Sequence, residues 1–286
     1  MKKKVIVLGS NGMAGHVLTL SLRAFPNEFE VLDVSRTPSA INPARLFEVS
    51  NFKKLESVIN EFNPDVIVNC VGLLSQSCED NPDLAVLMNG YLPHHLERIT
   101  KGTSCKVISV STDCVFSGSR GGYKEVDLKD GIGFYAMSKS IGEINNSKDL
   151  TFRTSIIGPE LKIDGIGLFN WFMNQTGEIK GYRKAYWTGV TTIELAKAIR
   201  EAIKQNLTGV YQLVNNEKIN KHDLLTLTKE IFKRDDVSLN PYDGYVVDKS
   251  LINTRTDFNY IVPSYNDMLI EMEQWVKKYK DYYTNC

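Results

Sequence analysis

The residues best suited to chemistry in this sequence are a tyrosine and a lysine four positions apart, Tyr135 and Lys139. Positions i and i+4 lie on one face of a helix, so the phenol and the ammonium can be neighbours. A phenol with a pKa of about 10 is a weak acid–base group at neutral pH, and a nearby cation lowers that pKa. The pair therefore predicts an acid–base group, if its surroundings place it at a ligand site.

A threonine supplies part of those surroundings. Thr112 follows a β-branched run at 106–111 that we predict to be a buried strand. Side chains at the carboxyl ends of parallel strands face the ligand crevice of such a sheet. We therefore expect the Thr112 hydroxyl to hydrogen-bond a carbonyl oxygen alongside Tyr135.

A glycine-rich turn near the start of the chain predicts a dinucleotide site. The sequence GSNGMAG lies between a predicted strand and a predicted helix. Its first glycine allows the tight turn, the second lets a pyrophosphate approach the backbone, and the third lets the helix pack on the strand. The helix N-terminus favours a diphosphate. The predicted cofactor-binding residues of the turn are Gly9, Ser10, Asn11, Gly12, Met13 and Gly15.

Two signals on the next strand disagree about the cofactor. Asp33 stands where an acid can bind both hydroxyls of an adenosine ribose, which is typical of NADH enzymes. Ser35 and Arg36 follow at once and could instead receive a 2′-phosphate. We favour NADPH and keep NADH as the alternative.

Strands and helices alternate along the first half of the chain, which predicts a parallel sheet with right-handed crossovers. The predicted strands are 4–9, 29–33, 65–71, 106–111, 151–157 and 210–214, and the predicted helices are 12–24, 51–62, 82–100, 135–145, 192–204 and a C-terminal one that includes 268–279. We expect an α/β fold, with a Rossmann-type doubly wound parallel sheet and a smaller discontinuous α/β substrate-binding lobe. The cofactor domain is assigned to 1–155 and 188–215, and the lobe to 156–187 and 216–286.

The composition excludes several classes of protein. The 286 residues carry 34 Lys and Arg against 34 Asp and Glu, so no net charge draws the chain to nucleic acid or an anionic membrane. No apolar run approaches the roughly 20 residues of a membrane span, and 5–8 is too short for a signal peptide. The five cysteines show no paired or metal-like spacing, which favours reduced thiols in the cytoplasm and no metal site.

In order and spacing, the glycine turn, Thr112, Tyr135 and Lys139 resemble those of the extended short-chain dehydrogenase/reductases. Further stretches are similar to landmarks of dTDP-4-dehydrorhamnose reductases, and these are 64–70, 111–116, 135–139, 153–155 and 209–214. The resemblance implies NAD(P)H-dependent reduction of the C4 ketone of a dTDP- or UDP-linked 4-keto-6-deoxy sugar, in deoxysugar and cell-surface polysaccharide biosynthesis. In that reaction Tyr135 would protonate the developing alkoxide, Thr112 would polarise the carbonyl and Lys139 would orient the nicotinamide ribose.

The resemblance also implies further contacts. Glu48 stands where an acid often meets the adenine, and the other implied cofactor contacts are Val49, Val71 and Gly72. The implied substrate contacts are Gln76, Asn89, Thr112, Asp113, Cys114 and Trp187. A homodimer is implied as well. Tyr186 and Trp187 could stack on the base or sugar, or could simply be buried aromatics.

Departures from the family pattern leave other functions open. The chain has Ser-Gln-Ser at 75–77 and Thr-Gly-Val-Thr at 188–191, so the sugar and the base stay undetermined. Cys114 replaces a usual tyrosine, and resembles the catalytic cysteine of GDP-fucose synthases, which are 3,5-epimerase/4-reductases. A further alternative is a cofactor-bound regulatory subunit similar to the β subunit of methionine adenosyltransferase. The intact set of Thr112, Tyr135 and Lys139 favours an enzyme.

Overall fold

The computed structural model of the protein describes residues 2–38, 41 and 44–283. Its strands are β1 (Lys3–Leu8), β2 (Phe29–Ser35), β3 (Arg45–Leu46), β4 (Val66–Asn69), β5 (Lys106–Thr112), β6 (Leu150–Thr154), β7 (Ile156–Ile157), β8 (Gly177–Tyr182), β9 (Ala185–Trp187), β10 (Val190–Thr191), β11 (Gly209–Gln212), β12 (Ile219–Asn220), β13 (Val237–Tyr242) and β14 (Val247–Asp248). Its α-helices are α1 (Met13–Arg23), α2 (Phe52–Phe62), α3 (Ser75–Asp80), α4 (Pro82–Ala85), α5 (Leu92–Ile99), α6 (Phe134–Ile141), α7 (Leu168–Met173), α8 (Thr192–Gln205), α9 (Lys221–Ile231) and α10 (Tyr265–Lys278).

Seven parallel strands form the central sheet, in the order β11–β6–β5–β4–β1–β2–β3. The order reverses between β1 and β4, as in a doubly wound fold whose ligand crevice lies at that switch point. The Rossmann-type α/β fold expected from the sequence is therefore confirmed. The glycine turn follows β1 and Thr112 ends β5, so both lie at the carboxyl edge of the sheet.

Both faces of the sheet are buried, because successive residues of β1 enter different cores. Val5 and Val7 pack with α1 and α8 in one core, while Ile6 and Leu8 pack with α2 and α5 in the other. This explains the continuous apolar run of the strand, which alternation alone would not predict. The helices on the two faces hold the carboxyl edge of the sheet in a fixed geometry.

The region expected to be the substrate lobe contains several small sheets. β8 pairs with β13, and β9 lies between β12 and β14. A separate small core of Phe172, Leu225 and Val237 lies beneath them. The C-terminal helix α10 packs against α8 and α9 and shares the core of α1 and α8.

Several predicted elements differ in detail from the structure. The helix expected over 82–100 is α4, a π-helical segment Val86–Tyr91, and then α5. The strand expected over 151–157 ends at Thr154, and β7 then leaves the sheet to pair with β10. The helix expected from 135 to 145 ends at Ile141. The eleven-residue helix α9 is not among the helices predicted from the sequence.

Within the described ranges, no helix has the length and apolarity needed to cross a bilayer. Over the same ranges, no cluster of His, Cys, Asp and Glu is arranged to hold a metal ion. Cys70, Cys78, Cys105 and Cys114 are free thiols, and Cys286 lies outside the described residues.

Candidate active site

The helix α6 carries both Tyr135 and Lys139, and a glutamate from another segment fixes its start. Gly133 precedes the helix with φ +93°, a conformation that favours glycine. The backbone N–H of Phe134 donates to Glu79 Oε1 at 2.8 Å. A carboxylate at a helix N-terminus satisfies an otherwise unpaired N–H and interacts favourably with the helix dipole. The sequence analysis did not find Glu79, because no local pattern links α3 to α6.

Thr112 stands at the centre of a short hydrogen-bond network. Its hydroxyl donates to Asp113 Oδ1 at 3.1 Å and accepts the backbone N–H of Cys114 at 3.1 Å. Its side chain also hydrogen-bonds the Tyr135 hydroxyl. The structure thus brings Thr112 and Tyr135 together, although they lie on different elements.

The protonation of Tyr135 differs from the expectation that Lys139 lowers its pKa. Burial raises the pKa of Tyr135 above its ordinary value, and its hydrogen bond with Thr112 only partly offsets this rise. The Lys139 ammonium instead donates to the carbonyl oxygen of Val110 at 2.6 Å. The expected lowering is therefore wrong, because the loss of water on burial disfavours the phenolate. Tyr135 is a protonated donor at neutral pH.

Lys139 itself is strongly affected by its surroundings. Burial lowers the pKa of its ammonium to about 8, and the nearby Glu143 carboxylate opposes this shift. Glu143 is held by the Arg153 guanidinium, whose Nε donates to Oε1 at 2.8 Å and whose Nη2 donates to Oε2 at 2.7 Å. Ser111 Oγ donates to Oε1 at 2.7 Å. The Glu143 carboxylate, just after α6, thus favours the charged form of Lys139. No role for Glu143 was predicted from the sequence.

The glycine turn has the geometry of a cofactor cradle. Gly9 has φ +80°, and a Cβ on Gly15 would lie 2.1 Å from the Gly9 carbonyl oxygen. A Cβ on Gly12 would meet only that same oxygen, at 3.3 Å, so its other side is open. Asn11 Nδ2 donates to the Thr37 carbonyl at 2.6 Å, which fastens the turn to the chain after β2. Met13 reaches Gly167, just before α7.

Two buried oxygens at this cradle lack partners, which fits a bound dinucleotide. Among the described residues, neither Ser10 Oγ nor Asp33 Oδ2 has a hydrogen-bond partner. A buried polar atom without a partner is costly, and a ligand is one explanation for it. The other oxygen of Asp33 accepts a hydrogen bond from Arg23. A ribose hydroxyl is of the right chemistry to complete Asp33.

The other residues assigned to the cofactor occupy varied positions. Ser35 Oγ donates to the Thr37 carbonyl at 2.7 Å. Arg36 is 66% exposed, and its Nε lies 3.6 Å from Glu48 Oε1. Val49 is buried in the core on the α2 side, and Val71 packs against that core. A Cβ on Gly72 would lie 3.9 Å from Lys139 Nζ, so the end of β4 is next to the lysine.

Asn89 and Gln76, which were assigned to the substrate, make their hydrogen bonds to other residues of the protein. Asn89 is 1% exposed, and its amide bonds the backbone N–H and carbonyl of Leu73 at 2.9 and 3.1 Å and Ser138 Oγ at 3.2 Å. It clamps the loop after β4 to α6, and the π-helical segment positions it. Gln76 is exposed on α3, where its Nε2 donates to Asp80 at 2.9 Å.

A cavity of about 450 Å³ lies against the Thr112 end of β5, lined in part by Asp113, Cys114 and Trp187. The sequence analysis did not find three lysines in its wall, and these are Lys180, Lys221 and Lys249. Four further aromatic side chains line it, and these are Trp171, Tyr182, Tyr186 and Tyr245. Apart from Tyr186, which the sequence suggested as a stacking residue, these residues come from distant segments, so no local motif could reveal them. Cations on aromatic walls suit a phosphorylated ligand that contains a ring.

The charges of this cavity depend on one another. Burial lowers the pKa of Lys221, and the Asp113 carboxylate opposes that shift. Burial raises the pKa of Asp113, and the nearby Lys249 and Lys221 oppose that rise. Burial also raises the pKa of the Cys114 thiol to about 11, although the thiol hydrogen-bonds Lys249. The thiol is therefore protonated at neutral pH.

Comparisons with known proteins show the family and the fold of this chain. Residues 3–244 match the model of the RmlD substrate binding domain family. A probable low-salt glycan biosynthesis reductase, Agl14 of Haloferax volcanii, is 30% identical over 139 residues, and the match spans 48% of this chain and less than half (46%) of that protein. The dTDP-4-dehydrorhamnose reductase of Salmonella typhimurium is 27% identical over 82% of this chain and 80% of its own.

Two further relatives bear on the alternatives. The β subunit of methionine adenosyltransferase 2 of Xenopus laevis is 24% identical over 84% of this chain and 75% of its own. The crystal structure of dTDP-4-dehydrorhamnose reductase from Bacillus anthracis in complex with NADP has a TM-score of 0.80 at 22% identity, over 95% of this chain and 99% of that one. At this identity the likeness establishes the fold.

Proposed function

We propose that this chain, which belongs to the RmlD substrate binding domain family, uses NADPH to reduce the C4 ketone of a nucleotide-linked 4-keto-6-deoxy sugar. The observation that carries the proposal is the hydrogen-bonded pair of Tyr135 and Thr112, which is next in the chain to Asp113 and Cys114 of the lysine-lined cavity. An acid–base group there would meet both a dinucleotide and a second ligand. The names of the similar reductases favour this chemistry.

In the proposed reaction, a bound reduced nicotinamide supplies the hydride that reaches the ketone carbon. Tyr135 donates its hydroxyl proton to the ketone oxygen as negative charge develops there. Thr112 now donates to Asp113, so its proton has to turn toward the ketone oxygen when the substrate enters. Lys139 gives up its hydrogen bond to the Val110 carbonyl and donates to the nicotinamide ribose instead. It thereby orients the nicotinamide toward the substrate.

The cavity wall supports a sugar nucleotide as the substrate class. A nucleoside diphosphate carries negative charge on its phosphates, and three ammonium groups face the cavity. The Lys221 ammonium lies 5.1 Å from the centre of the Trp187 ring, and both residues line the cavity. We assign the sugar to the Asp113 and Cys114 end, next to Tyr135, and the diphosphate to the lysines. Both dTDP and UDP fit this description.

The test is NADPH oxidation by the purified protein with a dTDP- or UDP-linked 4-keto-6-deoxyhexose, followed at the absorbance of the reduced nicotinamide. We expect Tyr135→Phe to lower kcat/KM by about 10²- to 10⁴-fold, the usual contribution of a positioned proton donor. Tyr279→Phe, at the end of α10, serves as the matched control and keeps full activity. Wild-type turnover by Tyr135→Phe would exclude the mechanism.

The cysteine supports a second candidate activity, exchange of a proton next to the ketone before reduction. Cys114 lines the cavity and its thiol hydrogen-bonds Lys249. The protonated thiol would return a proton to the sugar carbon after a second group, on the opposite face of the ring, has removed one. If the enzyme also epimerises its substrate, deuterium from solvent will enter the product at C3 or C5, and Cys114→Ser will abolish this uptake. Reduction without any deuterium uptake in the wild type would remove the second activity.

A regulatory role is the remaining alternative, favoured by the similarity to the β subunit of methionine adenosyltransferase 2. A subunit without catalysis has no need of the Tyr135, Lys139 and Thr112 set, so we rank it below the reductase. A stoichiometric enzyme partner recovered from the native source, with no turnover of any keto sugar, would reverse that order.

For the assembly, we propose a homodimer built on α6 and its neighbouring helices. Phe134, Met137 and Ile141 form an exposed apolar stripe on α6. Leu84 and Tyr91 extend this stripe onto the adjacent α4 and π-helical segment. An apolar surface shared by two helices suits a second copy of the same surface.

We also retain the division into a cofactor domain (1–155 and 188–215) and a substrate lobe (156–187 and 216–286) as a proposal, with α10 spanning both.

A further inference from the structure

An ion pair lies behind the proposed ribose site. Arg23, the last residue of α1, donates from Nη2 to Asp33 Oδ1 on β2. The Asp33 side chain is 2% exposed, whereas that of Arg23 is 32% exposed. The carboxylate is therefore neutralised from the α1 side, and the guanidinium keeps part of its surface open. The sequence analysis considered only Ser35 and Arg36 as cations or donors for a 2′-phosphate.

The neutralisation changes what Asp33 can accept. A free carboxylate at this position binds the two hydroxyls of an NADH ribose and repels the 2′-phosphate of NADPH. A carboxylate already paired with a guanidinium has little net charge to present. Arginine keeps its charge at any physiological pH and offers several N–H donors in one plane, so it can bond the carboxylate while other donors stay open.

The second oxygen of Asp33 is an acceptor that a ribose hydroxyl of a ligand would complete. Asp33 Oδ2 is buried and finds no hydrogen-bond partner within the part of the chain that the structure describes. Arg36 is not a substitute for Arg23, because its side chain is mostly exposed and its nearest carboxylate is Glu48 at 3.6 Å. The local charge at the ribose end of the cradle is thus set by one buried acid and one cation.

We propose that Arg23 determines the choice of cofactor: by neutralising Asp33 it allows a 2′-phosphorylated dinucleotide to bind at an acid that would otherwise select NADH. The inference rests on the proposed function in that both require a nicotinamide dinucleotide at the glycine turn. It adds a specificity-determining residue, Arg23, which lies outside the turn and outside the segment that follows β2.

The experiment measures the dissociation constants of NADPH and NADH for the full chain by fluorescence titration, with no sugar present. Wild type is expected to prefer NADPH, and Arg23→Ala to shift the ratio of the two constants toward NADH by at least about tenfold, which is about 1.4 kcal/mol. Arg183→Ala removes an exposed arginine from an ion pair in the lobe and is the matched control, with an unchanged ratio. An unchanged ratio in Arg23→Ala would overturn the inference.

A second comparison removes the carboxylate first, because Arg23→Ala leaves a buried acid without its cation and is the variant at risk of misfolding. In an Asp33→Asn background there is no charge to neutralise, so removing Arg23 should change the ratio by less than about threefold. A tenfold loss of NADPH preference in that background would show that Arg23 acts by another route and would overturn the proposal. Wild type that binds neither dinucleotide would overturn both proposals, whereas binding without sugar turnover would fail the proposed function alone.

Discussion

Lys139 combines a charge with a buried position, and this predicts a specific pH dependence. Burial lowers the pKa of its ammonium to about 8, so the charged form dominates below that pH. If the ammonium is needed to hold the nicotinamide ribose, kcat/KM will be full near pH 7 and will fall as the pH rises through about 8. An exposed lysine would give such a fall only near 10.4.

Glu143 provides the control for this assignment, since its carboxylate raises the pKa of Lys139. Glu143→Gln should move the alkaline fall in kcat/KM to lower pH, by up to about one unit for a neighbouring opposite charge. Glu61→Gln, at an exposed ion pair with Arg45, should leave the profile in place. Identical profiles for wild type and Glu143→Gln would show that the titrating group is not Lys139.

At the scale of single residues, two kinds of group could be predicted from the sequence. One kind has its partner close by in the chain, and the other stands at the end of a strand. Tyr135 and Lys139 lie on one helix, and Thr112 ends a strand with an obvious apolar pattern. Glu79 and the cavity lysine Lys249 gave no signal. Their roles arise from packing between distant segments, which local spacing does not encode.

Among the elements, α1 is tied to the C-terminal segment by a chain of hydrogen bonds. His16 Nδ1 lies 2.8 Å from the Gly12 carbonyl, so it donates there, and His16 Nε2 then accepts from the Tyr283 hydroxyl at 2.9 Å. The same hydroxyl accepts the N–H of Trp275 at 2.9 Å. The chain needs a neutral imidazole, because burial disfavours the charged form of His16.

This requirement predicts acid sensitivity. Burial lowers the pKa of His16 to about 4 from an ordinary 6.5, so between these values the unfolded chain takes up a proton that the folded one does not. Stability from this group is complete above pH 6.5 and is lost as the pH falls toward 4, by about 3 kcal/mol in all. Urea denaturation at pH 7 and pH 4.5 measures the loss.

The variant His16→Gln isolates that contribution from the general titration of carboxylates. It should be less stable than wild type at pH 7, because it breaks the hydrogen-bond chain to Tyr283, but should lose clearly less free energy of unfolding on going to pH 4.5. An equal loss in the two proteins would contradict a buried neutral histidine.

A helix or strand can be predicted from the sequence when its own residues determine it, and cannot when packing against other segments determines it. Most strands of the sheet are buried on both faces and have apolar runs, so their existence was predictable. The π-helical segment was not, since it follows from packing: a Cβ on Gly142 would lie 1.9 Å from the Asn89 carbonyl oxygen. The two-residue strands β12 and β14 are too short for any periodicity, and they form only because β9 lies between them.

For the whole molecule, the surface of α6 connects the proposed site to the proposed assembly. Tyr135 and Lys139 point inward, while Met137 and Ile141 are exposed on the outer side of the same helix. Acidic Asp80 lies before α4 and basic Lys101 lies after α5, so an antiparallel second copy would place unlike charges at both ends of the contact. A second copy that covers this surface would fix the position of α6, the helix that carries the proton donor Tyr135.

The assembly is tested by placing a charge in the stripe. Ile141 is 59% exposed, and Ile141→Glu should convert the dimer to a monomer in light scattering after size exclusion, since an unpaired charge is costly at an apolar contact. Ile261→Glu is the matched control, because Ile261 is 88% exposed away from α6 and its change should leave the dimer intact. If wild type is a monomer at micromolar concentration, or if both variants behave alike, the stripe on α6 is not the dimer contact. If Ile141→Glu is monomeric and also loses turnover while it retains NADPH binding, the second copy is needed to hold α6 for proton transfer rather than for cofactor binding.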